Sequence, residues 1–231
     1  MIAYDLFNEP IKFNHPTLAE AQDAARAPYA KYQEAVNAAI AAIRGNRDRK
    51  VIWVEALCCS AYLDFASTDP NGGWVRDPAN RIVYSQHMYP VGNSTVGEEF
   101  VPAKLDRRYE EPAGKLWADH GYTRGFLDRL TTFGQWCLRS GVSCSVGEVG
   151  WYGRGQSAES ARQWNDLGSS WYTIANTYRL AVTYYGVSSA YQTNLWAYDS
   201  RVPDPWFPAP GVTETQSQAS VIEKPENLSL R

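Results

Sequence analysis

Short, nearly uninterrupted apolar runs recur along this chain, and stretches with helical periodicity separate most of them. Residues 51–57, Val-Ile-Trp-Val-Glu-Ala-Leu, are one such run. So little polarity suits a parallel strand covered on both faces rather than an amphipathic one. Residues 2–7 form a shorter run that ends at Pro10, and residues 82–88 another that ends at Pro90. A proline cannot donate to a ladder, so each marks a place where a strand leaves its sheet. Residues 142–149 and 192–198 complete the set.

Between the strands, apolar side chains repeat at helical spacing. Tyr32, Val36, Ala39, Ile40 and Ile43 do so beyond Pro28, which divides an alanine-rich stretch, and Gly45 supplies a stop. Phe126, Leu127, Leu130, Phe133, Cys137 and Leu138 share one face of residues 125–140, closed by Gly141. Residues 157–185 read as mainly helical, broken at Gly168, with Trp171, Ile174, Ala175, Tyr178 and Val182 inward. Residues 68–80 are a loop carrying Trp74, and residues 91–121 are a long polar connection. The order β-α-β-loop-β-α-β-α-β predicts an α/β fold with about five parallel strands. The segment from Val202 is rich in Pro, Ser, Gln and Glu and reads as a mobile surface tail, residues 201–231.

Composition removes several functions. A net charge of −3 supplies no basic field for nucleic acid or anionic lipid, and no apolar run reaches membrane-spanning length. The cluster Arg44 to Lys50 sits where a helix ends, which suits a helix cap. Cys58 and Cys59 are adjacent and have no histidine near, unlike a zinc site; Cys137 and Cys144 can meet across a helix-to-strand turn, bonded or as free thiols. No metal or organic cofactor is expected. The opening residues do not read as a signal peptide, so none is expected in this stretch. Asn93-Ser94-Thr95 and Asn227-Leu228-Ser229 match the glycosylation sequon, a pattern short enough to arise by chance.

The chemistry sits at the strand ends. Asn8-Glu9-Pro10 closes the first strand, His87 and Tyr89 the third, Glu148 the fourth and Trp196 the last. Glu55 ends the second strand, with a substrate, supporting or salt-bridging role. Side chains at the carboxyl ends of parallel strands converge on one face of a barrel, where such folds hold substrate. Two glutamates there are the raw material of a glycosidase: one carboxylate attacks the anomeric carbon and a second carboxyl, protonated at working pH, donates to the leaving oxygen. Aromatic residues make up 13% of the chain, and flat rings suit the C–H faces of sugars as well as core packing. Trp74 and Trp151, both in loops, are open between outer sugar subsites and packing.

Taken in order, Leu6-Phe7-Asn8-Glu9-Pro10, His87-Met88-Tyr89, Gly147-Glu148-Val149-Gly150 and Leu195-Trp196-Ala197-Tyr198 resemble strands four, six, seven and eight of glycoside hydrolase family 5, the cellulase family. Residues 51–57 would be strand five. The resemblance covers roughly residues 1–200 and implies a TIM-barrel glycosidase of the (β/α)8 type, retaining in mechanism, acting on a β-linked polysaccharide or oligosaccharide. It implies Glu9 as acid/base, Glu148 as nucleophile, and Asn8 as a partner of the sugar 2-hydroxyl. His87 and Tyr89 would line the cleavage subsite, and Trp196 would stack under the sugar.

The family's first three strand–helix units have no counterpart here. The expectation is therefore an N-terminally truncated barrel with weak hydrolysis. Its alternatives are a sugar-binding remnant without turnover and a half-barrel that relies on a partner chain. An unclosed sheet exposes an edge for self-association. The family resemblance implies an extracellular setting.

Overall fold

A computed structural model describes residues 3–10, 27–56, 65–90, 123–152, 157–185 and 217–228. Five strands occur among them: β1 (Ala3–Asp5), β2 (Val51–Glu55), β3 (Ile82–Met88), β4 (Ser143–Val149) and β5 (Ala181–Tyr184). The helices are α1 (Ala27–Gly45), α2 (Phe65–Thr68), α3 (Arg129–Ser140), α4 (Ala158–Thr177), α5 (Ala219–Ile222) and α6 (Pro225–Leu228), with a π-helical turn at Thr123–Asp128 leading into α3. The strand order is β1-β2-β3-β4-β5. β1 pairs in parallel with β2, Tyr4 opposite Ile52, and β2 with β3, Val54 opposite Tyr84. The α/β expectation with five parallel strands holds.

The chain divides into two compact units. The first takes in Met1–His87, Glu111–Trp117 and Thr132–Val146. In it, Tyr32, Val36 and Ile40 project from one face of α1 and are fully buried with Ile52 and Val54 of β2. These are the positions that the helical spacing singled out. Pro28 lies in the first turn of α1, where its missing N–H has no intrahelical partner to lose. A second apolar cluster stacks Phe65 on Trp136 at 5.2 Å, with Tyr84 edge-on to both. The Trp136 indole N–H is satisfied by the Asp69 carbonyl at 2.7 Å. On α3 the buried stripe runs through Phe133, Trp136 and Cys137, whereas Leu138 is 67% exposed, contrary to expectation. Of the two cysteine readings the bonded one holds, since Cys137 and Cys144 form a disulfide joining the end of α3 to the start of β4. Cys58 and Cys59 lie outside the described residues.

The second unit comprises Met88–Glu110, Ala118–Thr131 and Gly147–Arg231. Here the helical reading of residues 157–185 needs correction. α4 ends at Thr177, and Ala181–Tyr184 is a strand. Arg179 takes a positive φ of 55°, which stops the helix, and the β-branched Val182 and Thr183 suit the pleat. Gly168 does not break α4. It lets Trp151 approach: a Cβ at Gly168 would meet the indole at 2.5 Å. The tail reading is also corrected for residues 217–228, which form α5 and α6 and dock on α4. Val221 and Ile222 are buried, and Asn176 donates to Asn227 at 2.8 Å. The predicted strand at 192–198 lies outside the described residues.

Candidate active site

Four of the strand-end groups fall into two clusters, one in each unit. In the first unit, β1 runs out at Asp5, Leu6 extends the ladder by donating to the Trp53 carbonyl, and Asn8 and Glu9 follow. Glu9 adopts φ +47°, a left-handed conformation unusual for glutamate and more so directly before a proline. Its amide donates to Oε2 of Glu55 at 2.7 Å, and that bond helps hold the turned backbone. The Glu9 carboxylate reaches His87, Oε1 lying 2.8 Å from Nδ1. On its other side, His87 presents Nε2 to Oε1 of Glu55 at 3.0 Å. That approach is close enough for charge pairing but lies off the line of a hydrogen bond. The His87 and Glu55 side chains are 2% and 0% exposed, whereas that of Glu9 is 37% exposed. The Glu9 carboxyl therefore opens to solvent while His87 and Glu55 are sealed. Asn8 is exposed.

Asp5 completes the cluster. Burial, then the charge and hydrogen bond of Glu55, push its carboxyl up to about 6. As a whole residue Asp5 is exposed, so water tempers the burial contribution; the proximity of Glu55 is the firmer cause. The Tyr32 hydroxyl donates to the Glu55 carbonyl at 2.6 Å, tying α1 to the end of β2.

In the second unit, Glu148 is the penultimate residue of β4 and accepts a 2.6 Å hydrogen bond from the Tyr89 hydroxyl at Oε2. Tyr89 meets Tyr185 edge-to-face at 6.3 Å. Tyr185 directly follows β5, donates its amide to the Val149 carbonyl at 2.8 Å and is 38% exposed. It is an aromatic at a strand end that the sequence analysis placed in a helix. The apolar spacing ran on from α4 into β5 and hid it. Glu55 carried a clearer signal, as the one charged residue in an otherwise apolar strand.

Of the two loop tryptophans, Trp151 is enclosed and Trp74 is half-buried. Trp151 is 0% exposed, donates Nε1–H to Asn165 at 2.9 Å and packs edge-on against Tyr184. A ring so enclosed has no free face for a sugar, which corrects its assignment to substrate binding. Trp74 lies against the α1–β2 core, edge-on to Tyr32 at 5.9 Å. Trp196 lies outside the described residues.

Parallel strands that alternate with helices and carry glutamates at their carboxyl ends define the α/β-barrel class of architecture. The sequence profile described as Cellulase (glycosyl hydrolase family 5) matches residues 1–190, so the chain belongs to glycosyl hydrolase family 5. Comparison with curated protein sequences returned no match. Among solved structures, a triple-substituted endo-β-1,4-glucanase of Xanthomonas axonopodis pv. citri superposes with a TM-score of 0.61 at 14% identity, over 98% of this chain and 60% of that one. A broad-specificity endoglucanase of Bacteroides salanitronis gives 0.61 at 16%, over 85% and 51%. The Cel5A endoglucanase of Pseudomonas stutzeri gives 0.54 at 20%, over 87% and 52%. These likenesses establish the fold. The chain spans between half and three fifths of the length of these enzymes.

Proposed function

We propose that this chain carries the two reacting carboxylates of a retaining glycoside hydrolase acting on β-glucan, with Glu9 as acid/base and Glu148 as nucleophile. One observation carries the reading. His87 and Tyr89, two residues apart at the end of one strand, each hold a glutamate: His87 contacts Glu9 at 2.8 Å and Tyr89 donates to Glu148 at 2.6 Å. Family membership supports the glycosidase class. The β-glucan assignment is supported by the related folds, one of them a Xanthomonas enzyme in complex with cellopentaose and another a Ruminococcus champanellensis endoglucanase with bound cellotriose.

In the first step a Glu148 oxygen forms a bond to the anomeric carbon as the bond to the leaving oxygen breaks. The proton on Glu9 passes to that oxygen. In the second step Glu9, now a carboxylate, takes a proton from water, and the hydroxide oxygen displaces Glu148 from the sugar. The Tyr89 hydroxyl orients the Glu148 carboxylate for attack and keeps its second oxygen occupied. Asn8, exposed beside Glu9, is placed to meet the sugar 2-hydroxyl.

A 2-deoxy-2-fluoro-β-cellobioside with a dinitrophenyl leaving group tests this. It reacts in the first step and stalls in the second, so one event per molecule is enough. Mass spectrometry should find one fluorocellobiosyl group on Glu148 and none in Glu148→Gln. Binding of the compound with no covalent adduct, or an adduct elsewhere, would remove the hydrolase reading.

A further inference from the structure

We propose that Glu55 is a positioning residue for Glu9: it fixes which nitrogen of His87 carries a proton and anchors the backbone from which the Glu9 carboxyl projects. This deepens the assignment of Glu9 as acid/base and rests on it.

The reasoning starts from hydrogen counting. A neutral imidazole has one N–H, yet both ring nitrogens of His87 face carboxyl oxygens, Nδ1 at 2.8 Å from Glu9 and Nε2 at 3.0 Å from Glu55. With Glu55 as a carboxylate, two arrangements satisfy this. In one, His87 is an imidazolium between two carboxylates. In the other, His87 is neutral with its hydrogen on Nε2, and Glu9 is protonated and donates to Nδ1. They differ by the transfer of one proton along the Nδ1–Oε1 line, and in both Nε2 keeps its hydrogen. The third option, a bare Nε2, sets a lone pair against the charge of a carboxylate whose side chain is 0% exposed, where no water can intervene. The Glu55 charge excludes it.

The consequence suits a group that must be an acid in one step and a base in the next. Nδ1 is always the nitrogen that shares a proton with Glu9, and it gives or takes that proton without the ring turning over. Glu55 also holds the amide of Glu9 at 2.7 Å, at a residue with φ +47°. The same buried carboxylate therefore sets both the orientation of the acid and its proton partner. The Glu9 amide donates to it at 2.7 Å, and Asp5 shares a hydrogen bond with it.

Nitrogen-15 spectra of the histidine rings read the proposal directly. The chain has three histidines, His15, His87 and His120, and His87→Asn identifies the wanted signals. In the unsubstituted protein at neutral pH, Nε2 of His87 should be protonated, with or without Nδ1. In Glu55→Gln the remaining charge faces Nδ1, so the proton should move there. A bare Nε2 in the unsubstituted protein, or an unchanged tautomer in Glu55→Gln, would overturn the proposal. Should that variant fail to fold, the unsubstituted spectrum still decides.

A kinetic readout separates positioning from mere structural support. On aryl β-cellobiosides, Glu55→Gln should lower kcat/KM by about 10- to 100-fold for a phenol leaving group, which needs a proton, and by less than about 3-fold for dinitrophenol, which does not. Equal losses on both would leave Glu55 with a structural role only. If His87 shows the expected tautomer but Glu148 takes no label, the hydrolase reading fails alone. If Glu148 is labelled and the tautomer ignores Glu55, the positioning role fails alone.

Discussion

Asp77→Ala should cost this fold about 2–4 kcal/mol at neutral pH. Asp77 receives Arg44 side-on, Nε on Oδ1 at 2.7 Å and Nη2 on Oδ2 at 2.9 Å, with the two side chains 7% and 2% exposed. The same carboxylate accepts the amides of Ala79 at 3.0 Å and Arg81 at 2.8 Å. It therefore pins the end of α1 to the turn that feeds β3. Hydrogen bonding to Arg44 is the main reason the Asp77 carboxyl falls from 3.8 to about 2; burial opposes it, and the two amides add to it. At about 1.4 kcal/mol per unit, the ionised form is worth about 2.5 kcal/mol.

Removal also strands the Arg44 guanidinium, which keeps only the Asp48 carbonyl at 2.8 Å among its described partners. Breaking a deeply buried pair costs about 3–5 kcal/mol. The guanidinium keeps the Asp48 carbonyl and is 7% exposed, so the lower part of that range applies. The sign with pH follows from a depressed carboxylate: its stabilisation is full above 3.8 and is lost as pH falls through about 2. Urea unfolding followed by circular dichroism should show the full gap between the two proteins at pH 7 and about half of it at pH 3. A gap under about 1 kcal/mol at pH 7, or one that does not narrow in acid, would refute the pairing as a stabilising element.

Three further outcomes follow from other contacts. Gly168→Ala should destabilise by about 1–2 kcal/mol, because overpacking against the enclosed Trp151 indole outweighs the gain of about 1 kcal/mol in helix propensity; a raised melting temperature would contradict that contact. Asp5→Asn should stabilise the protein above pH 6 and leave it unchanged below about 3.8. A raised carboxyl is no burden while protonated and becomes one as pH climbs through about 6. Solvent around Asp5 holds the gain to about 1 kcal/mol, measured by urea midpoints at pH 4 and pH 8. Tyr89→Phe removes the 2.6 Å hydrogen bond to Glu148 and should slow covalent labelling by the fluorosugar about 10- to 100-fold; an unchanged labelling rate would show that the phenol does not orient the nucleophile.

Much of this was legible in the chain itself. The apolar run at 51–57 announced a strand, and β2 lies within it, with Ile52 and Val54 fully buried and Val51 and Trp53 half-buried. The spacing of Tyr32, Val36 and Ile40 marked the buried face of α1 before any contact was known. Glu9, His87, Tyr89 and Glu148 were singled out as candidates because each stands at or beside a strand end, a position that can be read along the chain. The failures share one cause. Trp151 was open between a sugar platform and core because sequence shows a loop tryptophan but not what covers it; α4, β5 and Gln218 cover it. β5 was absorbed into the preceding helix because Val182 kept the helical spacing for one turn too long.

Sequence alone determined the helix of Tyr32, Val36 and Ile40, the strands at 51–55, 82–88 and 143–149, and that glutamates would stand at strand ends, since these depend on periodicity and on chain neighbours. Only the tertiary structure decided how each glutamate is held. The bond from the Glu9 amide to Glu55 spans 46 residues, the bond from Tyr89 to Glu148 spans 59, and the contact from His87 to Glu9 spans 78. No local rule reaches so far. Such partners meet because parallel strands set their ends side by side, and the proton arrangement around His87 exists only once three strands have delivered their ends to one place.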